Sequence, residues 1–227
     1  MKLVTNAPLI KRNARIGVVA HLSGLAVLIA GMVVTFLMPT RSDLSLLALM
    51  TGFVLANVGI FFTNRWGRRP RPDEALDAAL KGLDDQYLLV HYRLGTPHAL
   101  IGPSGLVALV PKFQGGQIRY EGNKWRHAGV TWMRRFFAQE SLGNPSLEAE
   151  AEVAGLTGKL RKILPGEELP PIKSVIVFTA AEGKVDAEGS PTPAMHAEKL
   201  KEYVRRMPRS ATLRPEQVAK VLAAIGE

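Results

Sequence analysis

The sequence predicts an α/β protein in which a globular domain with a mixed sheet follows an N-terminal hairpin of two long apolar helices. Two uncharged runs near the N-terminus predict the hairpin, and alternating helical and strand-like segments after it predict the domain. The expected boundaries are 1–15 for a basic segment, 16–66 for the hairpin, 67–72 for a linker and 73–227 for the domain.

The two apolar runs are long enough to cross a lipid bilayer. Ile16 to Met38 contains 23 residues without a formal charge, and Leu44 to Phe62 is also uncharged. At ~1.5 Å per residue the first run reaches ~34 Å, against about 30 Å for a bilayer core. We interpret the runs as transmembrane helices at about 16–38 and 44–63. A cleaved signal peptide is the alternative for the first run, but its apolar part is too long and no clear cleavage site follows.

The short connection Pro39 to Asp43 requires an antiparallel hairpin whose ends lie on one side of the membrane. Basic residues flank those ends, and Arg41 is the only one in the turn. The positive-inside rule therefore predicts a multi-pass protein of the cytoplasmic membrane with both termini in the cytoplasm. The residues expected to anchor the hairpin at the interface are Arg65, Trp66, Arg68 and Arg69.

The charge of the chain is concentrated around the hairpin. Nine of the 29 Lys and Arg residues but only one of the 20 Asp and Glu residues precede position 72, so +8 of the net +9 belongs to this part. The remainder is close to neutral. The basic character thus indicates membrane topology and attraction to lipid headgroups rather than a nucleic-acid partner.

Small residues recur at a spacing of four on both apolar runs, which allows helix backbones to approach closely. We expect these faces to pack the two helices together, with contact to another membrane subunit as the alternative. The pair Ala26 and Ala30 shows the same spacing. The other expected packing residues are Ala20, Gly24, Ala48, Gly52 and Ala56.

Periodicity and turn signals divide the domain into elements in the order helix, three strands, hairpin, helix, strand and two helices. Val130 to Glu140 is ambiguous, and Ala180 to Pro193 is expected to be a flexible excursion. The predicted ranges are Asp73–Leu83, Tyr87–Leu94, His98–Gly102, Leu106–Val110, Gly115–His127, Asn144–Leu164, Ser174–Thr179, Ala194–Met207 and Pro215–Ile225.

The segment LIGPSGLVALVPKFQGGQIRYEGNKW resembles the central motif of the nuclease-related domain, NERD, in which two strands flank a Gly-Pro-x-Gly turn. NPSLEAEAEVAGLTGKL resembles the helix of that family, and SVIVF its following strand. The resemblance covers about Asp73 to Thr179. It implies a restriction-endonuclease-like domain of the PD-(D/E)xK group, for which the predicted order of elements is also typical.

In that group, strand carboxylates hold a divalent cation and a lysine positions or activates the attacking water. The resemblance places the family's helix glutamate at Glu74, its lysine at Lys112 and its helix glutamine at Glu148. Its two strand carboxylates fall on Pro97 and Val110. Both are lost, and Glu74 alone among the matched positions is too little for a Mg²⁺ site. We therefore expect no catalytic residue, no metal and no cofactor.

The individual residues have simpler interpretations as well. Lys112 is expected to face solvent at a strand end, and Glu74 to be an ordinary acid of a first helical turn. His91 and His98 are expected on adjacent strands, as hydrogen-bonded or exposed histidines rather than a ligand pair. Since the chain has no cysteine, disulfides, thiolate metal sites and cysteine nucleophiles are excluded.

Two functional hypotheses follow. The first is a non-catalytic accessory or scaffolding subunit of a larger membrane assembly, with the bilayer and other membrane subunits as partners. The second is a membrane-tethered nucleic-acid binder or residual Mg²⁺-dependent nuclease, in which aromatic residues such as Tyr120, Trp125 and Trp132 stack on bases. A packed hairpin with solvated charges, or one that meets headgroups, is the simpler explanation. The basic residues concerned are Lys112, Arg119, Lys124, Arg126, Arg134 and Arg135.

Overall fold

The computed structural model describes residues 1–129 and 141–226. These residues form two compact units. Asn6–Arg71 make up a helical hairpin unit, and Met1–Thr5 join the residues from Pro72 onward in an α/β unit. The mixed α/β class is therefore confirmed.

The hairpin unit consists of α1 (Ala7–Leu37) and α2 (Ser42–Phe62), followed by one π-helical turn, Thr63–Gly67. Both helices are long and apolar enough to cross a membrane. Helix α1 begins well before the predicted position 16, because the side chain of Asn6 accepts a hydrogen bond from the backbone N–H of Leu9 and caps it. The uncharged run covers only the apolar part of α1, and the helix extends N-terminally beyond it through a segment that contains charged residues.

The two helices contact each other through small residues spaced seven apart. Gly17, Gly24 and Gly31 are buried on α1, and Ser45, Gly52 and Gly59 are buried on α2. A Cβ added at Gly24 would lie 2.6 Å from the backbone nitrogen of Ala56, and one at Gly59 would lie 2.5 Å from that of His21. Only glycine at these positions permits so close an approach of the backbones.

All five packing residues predicted from the spacing of four lie at or beside this contact. Ala20, Gly24 and Gly52 are buried, and Ala48 and Ala56 are half-buried. The pair Ala26 and Ala30 is exposed instead. The reason is their angular position, since at about 100° per residue Ala26 lies about 160° from Gly24 and Ala30 about 100° from Gly31.

The α/β unit contains a six-stranded sheet in the order β1-β2-β3-β4-β7-β9. Neighbouring strands pair in parallel at β1–β2, β4–β7 and β7–β9 and antiparallel at β2–β3 and β3–β4, so the sheet is mixed as predicted. Its strands are β1 (Lys2–Thr5), β2 (Leu88–His91), β3 (His98–Gly102), β4 (Gly105–Lys112), β7 (Ile172–Phe178) and β9 (Ala194–His196).

Strand β1 was not predicted, since residues 1–15 were expected to form only a basic segment. The main-chain pairing of Lys2–Thr5 with Leu88–His91 decides its structure. Four residues carry too little periodicity to indicate a strand before its partner is known. As a result, the chain enters the hairpin from one strand of the α/β unit and returns to that unit at Pro72.

Helices cover both faces of the six-stranded sheet. Helices α3 (Pro72–Leu80) and α5 (Ala197–Arg206) pack on the face that carries Leu89, Leu109 and Val177. Helices α4 (Pro145–Ile163) and α6 (Pro215–Ile225) pack on the opposite face. Alternate side chains of each strand therefore enter two separate cores.

A smaller sheet has the order β6-β5-β8 and consists of β5 (Gly116–Glu121), β6 (Lys124–Ala128) and β8 (Gly183–Asp186). The predicted hairpin forms, with Gly122 and Asn123 in left-handed conformation at its turn. The segment 180–193, expected to be a flexible excursion, contributes β8, because it pairs with β5. Ala194–His196, expected to begin a helix, pairs with β7 instead. Val130 to Glu140 lies outside the described residues.

Candidate functional site

The matched positions Lys112 and Glu148 meet at the end of β4. The Lys112 ammonium lies 2.6 Å from both carboxylate oxygens of Glu148 and donates to the carbonyl oxygen of Leu142 at 3.3 Å. The Asn144 side chain caps α4 through the backbone N–H of Leu147 and so fixes the turn that carries Glu148. The expectation of a solvent-facing Lys112 is wrong, because this residue is only 8% exposed. Its ion pair explains how a cation is accommodated there.

Val110 lies two residues before Lys112, and therefore on the same side of the strand. It is buried in an apolar cluster that includes Ile176, Phe178 and Ala149. The position at which the resemblance expects a metal-binding carboxylate is thus surrounded by hydrocarbon. A carboxylate introduced there would need a cation or hydrogen-bond donors to offset its loss of hydration.

Pro97 immediately precedes β3, and its carbonyl oxygen accepts a hydrogen bond from the backbone N–H of Tyr92. His98, the first residue of β3, faces α3, whereas positions 110, 112 and 148 share the opposite side of the sheet. Glu74 does not join them, because α3 packs on the other face.

On the α3 side, two buried histidines and an aspartate form a chain of hydrogen bonds. His91 and His98 are paired residues of β2 and β3, as expected, and their Nδ1 atoms are 2.7 Å apart. The Nε2 atom of His91 lies 3.0 Å from a carboxylate oxygen of Asp77. Tyr92 has a positive φ of 60° and places its ring 4.9 Å from that of His98.

The geometry of this chain restricts where its protons can lie. If Nε2–H of a neutral His91 donates to Asp77, its Nδ1 must accept, and Nδ1–H of His98 is then the donor. Both imidazoles can thus remain neutral while every contact in the chain is a normal hydrogen bond. Asp77 was missed in the sequence; the only signal was its position on α3, one turn after Asp73 and between the buried Leu76 and Leu80.

The predicted basic and aromatic surface is divided between the interior and the solvent. The indole N–H of Trp125 donates to Ser146 Oγ at 2.9 Å, and its ring lies against Phe178. Tyr120 packs edge-on against Trp125. The positive side chains of this surface that remain exposed are Arg119, Lys124 and Arg126.

Arg119 and Arg126 are cross-strand partners, and Glu121 lies within 3.7 and 4.0 Å of them. Both described aromatics of the hairpin are half-buried, and each ring contacts another aromatic ring. Arg134, Arg135 and Trp132 lie outside the described residues.

At the end of the hairpin unit, Arg65, Arg68 and Arg69 are exposed as expected of interfacial residues. Trp66 is only 8% exposed, so it does not present its ring as an interfacial anchor does. Trp66 follows the buried Gly59 by seven residues, the same spacing that separates Ser45, Gly52 and Gly59, so it continues the side of α2 that contacts α1.

Within residues 1–129 and 141–226, no three His, Asp or Glu side chains form a group that could hold a metal ion. No family model matches the sequence, and no curated protein or solved structure is significantly similar to it. The resemblance to NERD and the expected lack of a metal and cofactor therefore stay predictions.

Proposed function

We propose that this chain is a membrane-anchored, non-catalytic NERD-like protein that serves as an accessory or scaffolding subunit of a larger membrane assembly. The proposal rests on the surroundings of Lys112 and Val110, two of the positions matched to the nuclease motif. Lys112 is buried and paired with the partly exposed Glu148 beside an apolar Val110, at positions where a nuclease needs a lysine free to act on water and a metal ligand.

The outward surface of the hairpin unit supports membrane anchoring. Leu22, Phe36 and Phe53 are 60%, 77% and 66% exposed, and other large apolar side chains surround both helices. Because apolar surface costs roughly 25 cal/mol per Å² in water, a surface of this kind favours a lipid environment.

The connections of the hairpin support a same-side topology. Strand β1 precedes α1 and helix α3 follows α2, and both belong to the α/β unit. If the helices cross a bilayer, their outer ends must therefore lie on one side of it. The basic residues at those ends favour the cytoplasmic side of the inner membrane, with both termini cytoplasmic.

Apart from the inserted β5–β6 hairpin, the order of α3, three strands, α4 and β7 agrees with the restriction-endonuclease-like architecture that the resemblance implies. We infer that the scaffold of such a domain is retained while its chemistry is lost. Ala26 and Ala30 lie on an exposed side of α1, where small residues permit a further helix to approach.

The test is purification of the full chain from its native membrane in a mild detergent, with crosslinking and mass spectrometry. We expect partner subunits in fixed proportion, and an Ala26→Leu/Ala30→Leu variant to lose them while an equally exposed Leu22→Met control keeps them. An isolated monomer in the native extract would remove the main support. Mg²⁺-dependent cleavage of DNA or RNA that disappears in Lys112→Ala would overturn the non-catalytic assignment.

The nucleic-acid hypothesis has less support, because Trp125 is half-buried against Phe178 and Glu121 lies beside Arg119 and Arg126. Low-salt gel-shift measurements with DNA and RNA are its direct test. A salt-sensitive shift that weakens in Lys124→Gln would revive it, whereas no shift at low salt would end it.

A further inference from the structure

The hairpin unit carries a group of exposed cations at one end only. Lys11, Arg12 and Arg15 lie in the first turns of α1, and Arg65 and Arg68 lie at and beyond the end of α2. The two sets belong to the same end of the hairpin, since a Cβ added at Gly17 would lie 2.9 Å from the backbone nitrogen of Thr63.

No acidic side chain of the hairpin unit neutralises this group. Asp43 is the one Asp or Glu residue between positions 6 and 71, and it pairs at 3.3 Å with Arg41 at the opposite turn. The helix contact does not use the cations either. Counted from the buried Gly17, Gly24 and Gly31, Arg12 and Arg15 fall on the side of α1 turned away from α2.

The cations adjoin an apolar surface without a break. Ile16, Val18 and Val19 directly follow Arg15 and are 39%, 54% and 57% exposed. Phe61, 51% exposed, precedes Arg65 by one helical turn. A ligand that matches both parts must combine a negative phosphate with hydrocarbon, and neither free phosphate nor a nucleic acid supplies the hydrocarbon.

We propose that this basic end of the hairpin binds anionic phospholipids. Lys11, Arg12, Arg15, Arg65 and Arg68 contact headgroup phosphates, while the adjoining apolar side chains contact the acyl chains. The inference rests on the proposed membrane anchoring and adds a lipid class to it. Bound lipid of this charge holds the hairpin at a defined depth, because the phosphates attract the cations just outside the hydrocarbon core.

The test is native mass spectrometry of the full chain in detergent micelles that contain equal amounts of phosphatidylglycerol and phosphatidylcholine. A basic residue near an anionic lipid surface strengthens binding about fivefold. We expect phosphatidylglycerol to bind preferentially and Lys11→Gln/Arg12→Gln/Arg15→Gln to lower that preference roughly tenfold or more. Arg41→Gln, at the opposite turn, is the matched control and should leave it unchanged. The charge-conserving variant Arg12→Lys/Arg15→Lys should keep it.

Equal binding of the two lipids, or an unchanged preference in the triple variant with retained helical circular dichroism, overturns the proposal. Displacement of phosphatidylglycerol by excess glycerol 3-phosphate or by single-stranded DNA also overturns it, in favour of a phosphate or nucleic-acid site. Alkaline carbonate extraction of reconstituted vesicles distinguishes a failure of the lipid proposal from a failure of the proposed membrane anchoring. If the protein stays in the membrane but shows no lipid preference, only the lipid proposal is contradicted. If the protein is released from the membrane, the proposed anchoring is contradicted as well.

Discussion

The Lys112 ammonium lies 2.6 Å from both carboxylate oxygens of Glu148, although the two residues are 36 positions apart in the chain. Glu148→Gln removes the charge that compensates this buried cation. We expect a loss of about 1–3 kcal/mol in unfolding free energy, since an unpaired buried charge keeps its full desolvation cost. Denaturant unfolding measures it.

Glu150→Gln is the matched control, because Glu150 is an exposed acid on the same helix. The double variant Lys112→Met/Glu148→Gln should recover part of the loss, since neither charge then remains. Equal stabilities of Glu148→Gln and Glu150→Gln would show that the ion pair contributes nothing.

Restoring the carboxylates at the matched positions tests the family resemblance. Position 97 directly precedes β3, and position 110 lies on the neighbouring β4, so Pro97→Asp/Val110→Glu should create a Mg²⁺ site at the cost of lower stability without the ion. We expect Mg²⁺ to raise the melting temperature of this variant and not that of the native chain. Pro97→Asn/Val110→Gln is the uncharged control, and an equal response in both variants would leave the family placement unsupported.

The glycine at position 59 is required for close contact between α1 and α2. A Cβ there would lie 2.5 Å from the backbone nitrogen of His21, which cannot move as a side-chain end can. Gly59→Ala should therefore separate the helices and cost about 1–3 kcal/mol. Because the chain has no cysteine, spin labels at introduced cysteines can report the helix separation. The exposed Ala26→Val is the control, and an unchanged separation in Gly59→Ala would contradict the packing.

The hydrogen-bonded chain of Asp77, His91 and His98 favours one pair of neutral tautomers, in which Nε2–H of His91 donates to Asp77. Nitrogen-15 NMR of the imidazoles should find His91 protonated at Nε2 and His98 at Nδ1 when both are neutral. Asp77→Ala removes the acceptor of a buried N–H and should cost about 1–3 kcal/mol. His91 protonated only at Nδ1 would contradict the assignment.

Glu167 joins the loop before β7 to helix α6. Hydrogen bonds from Lys220 and then Gln217, with a smaller contribution from Arg214, lower the pKa of Glu167 below its ordinary value of 4.5. A lowered folded-state pKa means that the carboxylate stabilises the fold above pH 4.5 and that this contribution disappears as the pH falls through the lowered value. Glu167→Gln should thus melt at a lower temperature than the native chain at pH 7.

The difference between Glu167→Gln and the native chain should shrink on acidification. Glu168→Gln supplies the control for a general effect of charge. A difference that grows as the pH falls would have the wrong sign for this linkage.

The sequence determined those features that follow from local pattern. Uncharged length predicted the two apolar helices, and short apolar runs bounded by turns predicted β3 and β4, because these signals lie within a few consecutive residues. The helix at Pro215–Ile225 was placed at its observed bounds for the same reason. The resemblance selected Lys112 and Glu148, which the structure brings into contact.

Only the tertiary structure decided features that depend on a distant partner. Lys2–Thr5 is a strand because β2 pairs with it, and the helix contact repeats every seven residues because two backbones must meet along their whole length. Lys112 is buried because Glu148 reaches it from α4, and Asp77 acquires its role from a histidine on another element. Such relationships join residues far apart in the chain, and periodicity within a single segment carries no information about them.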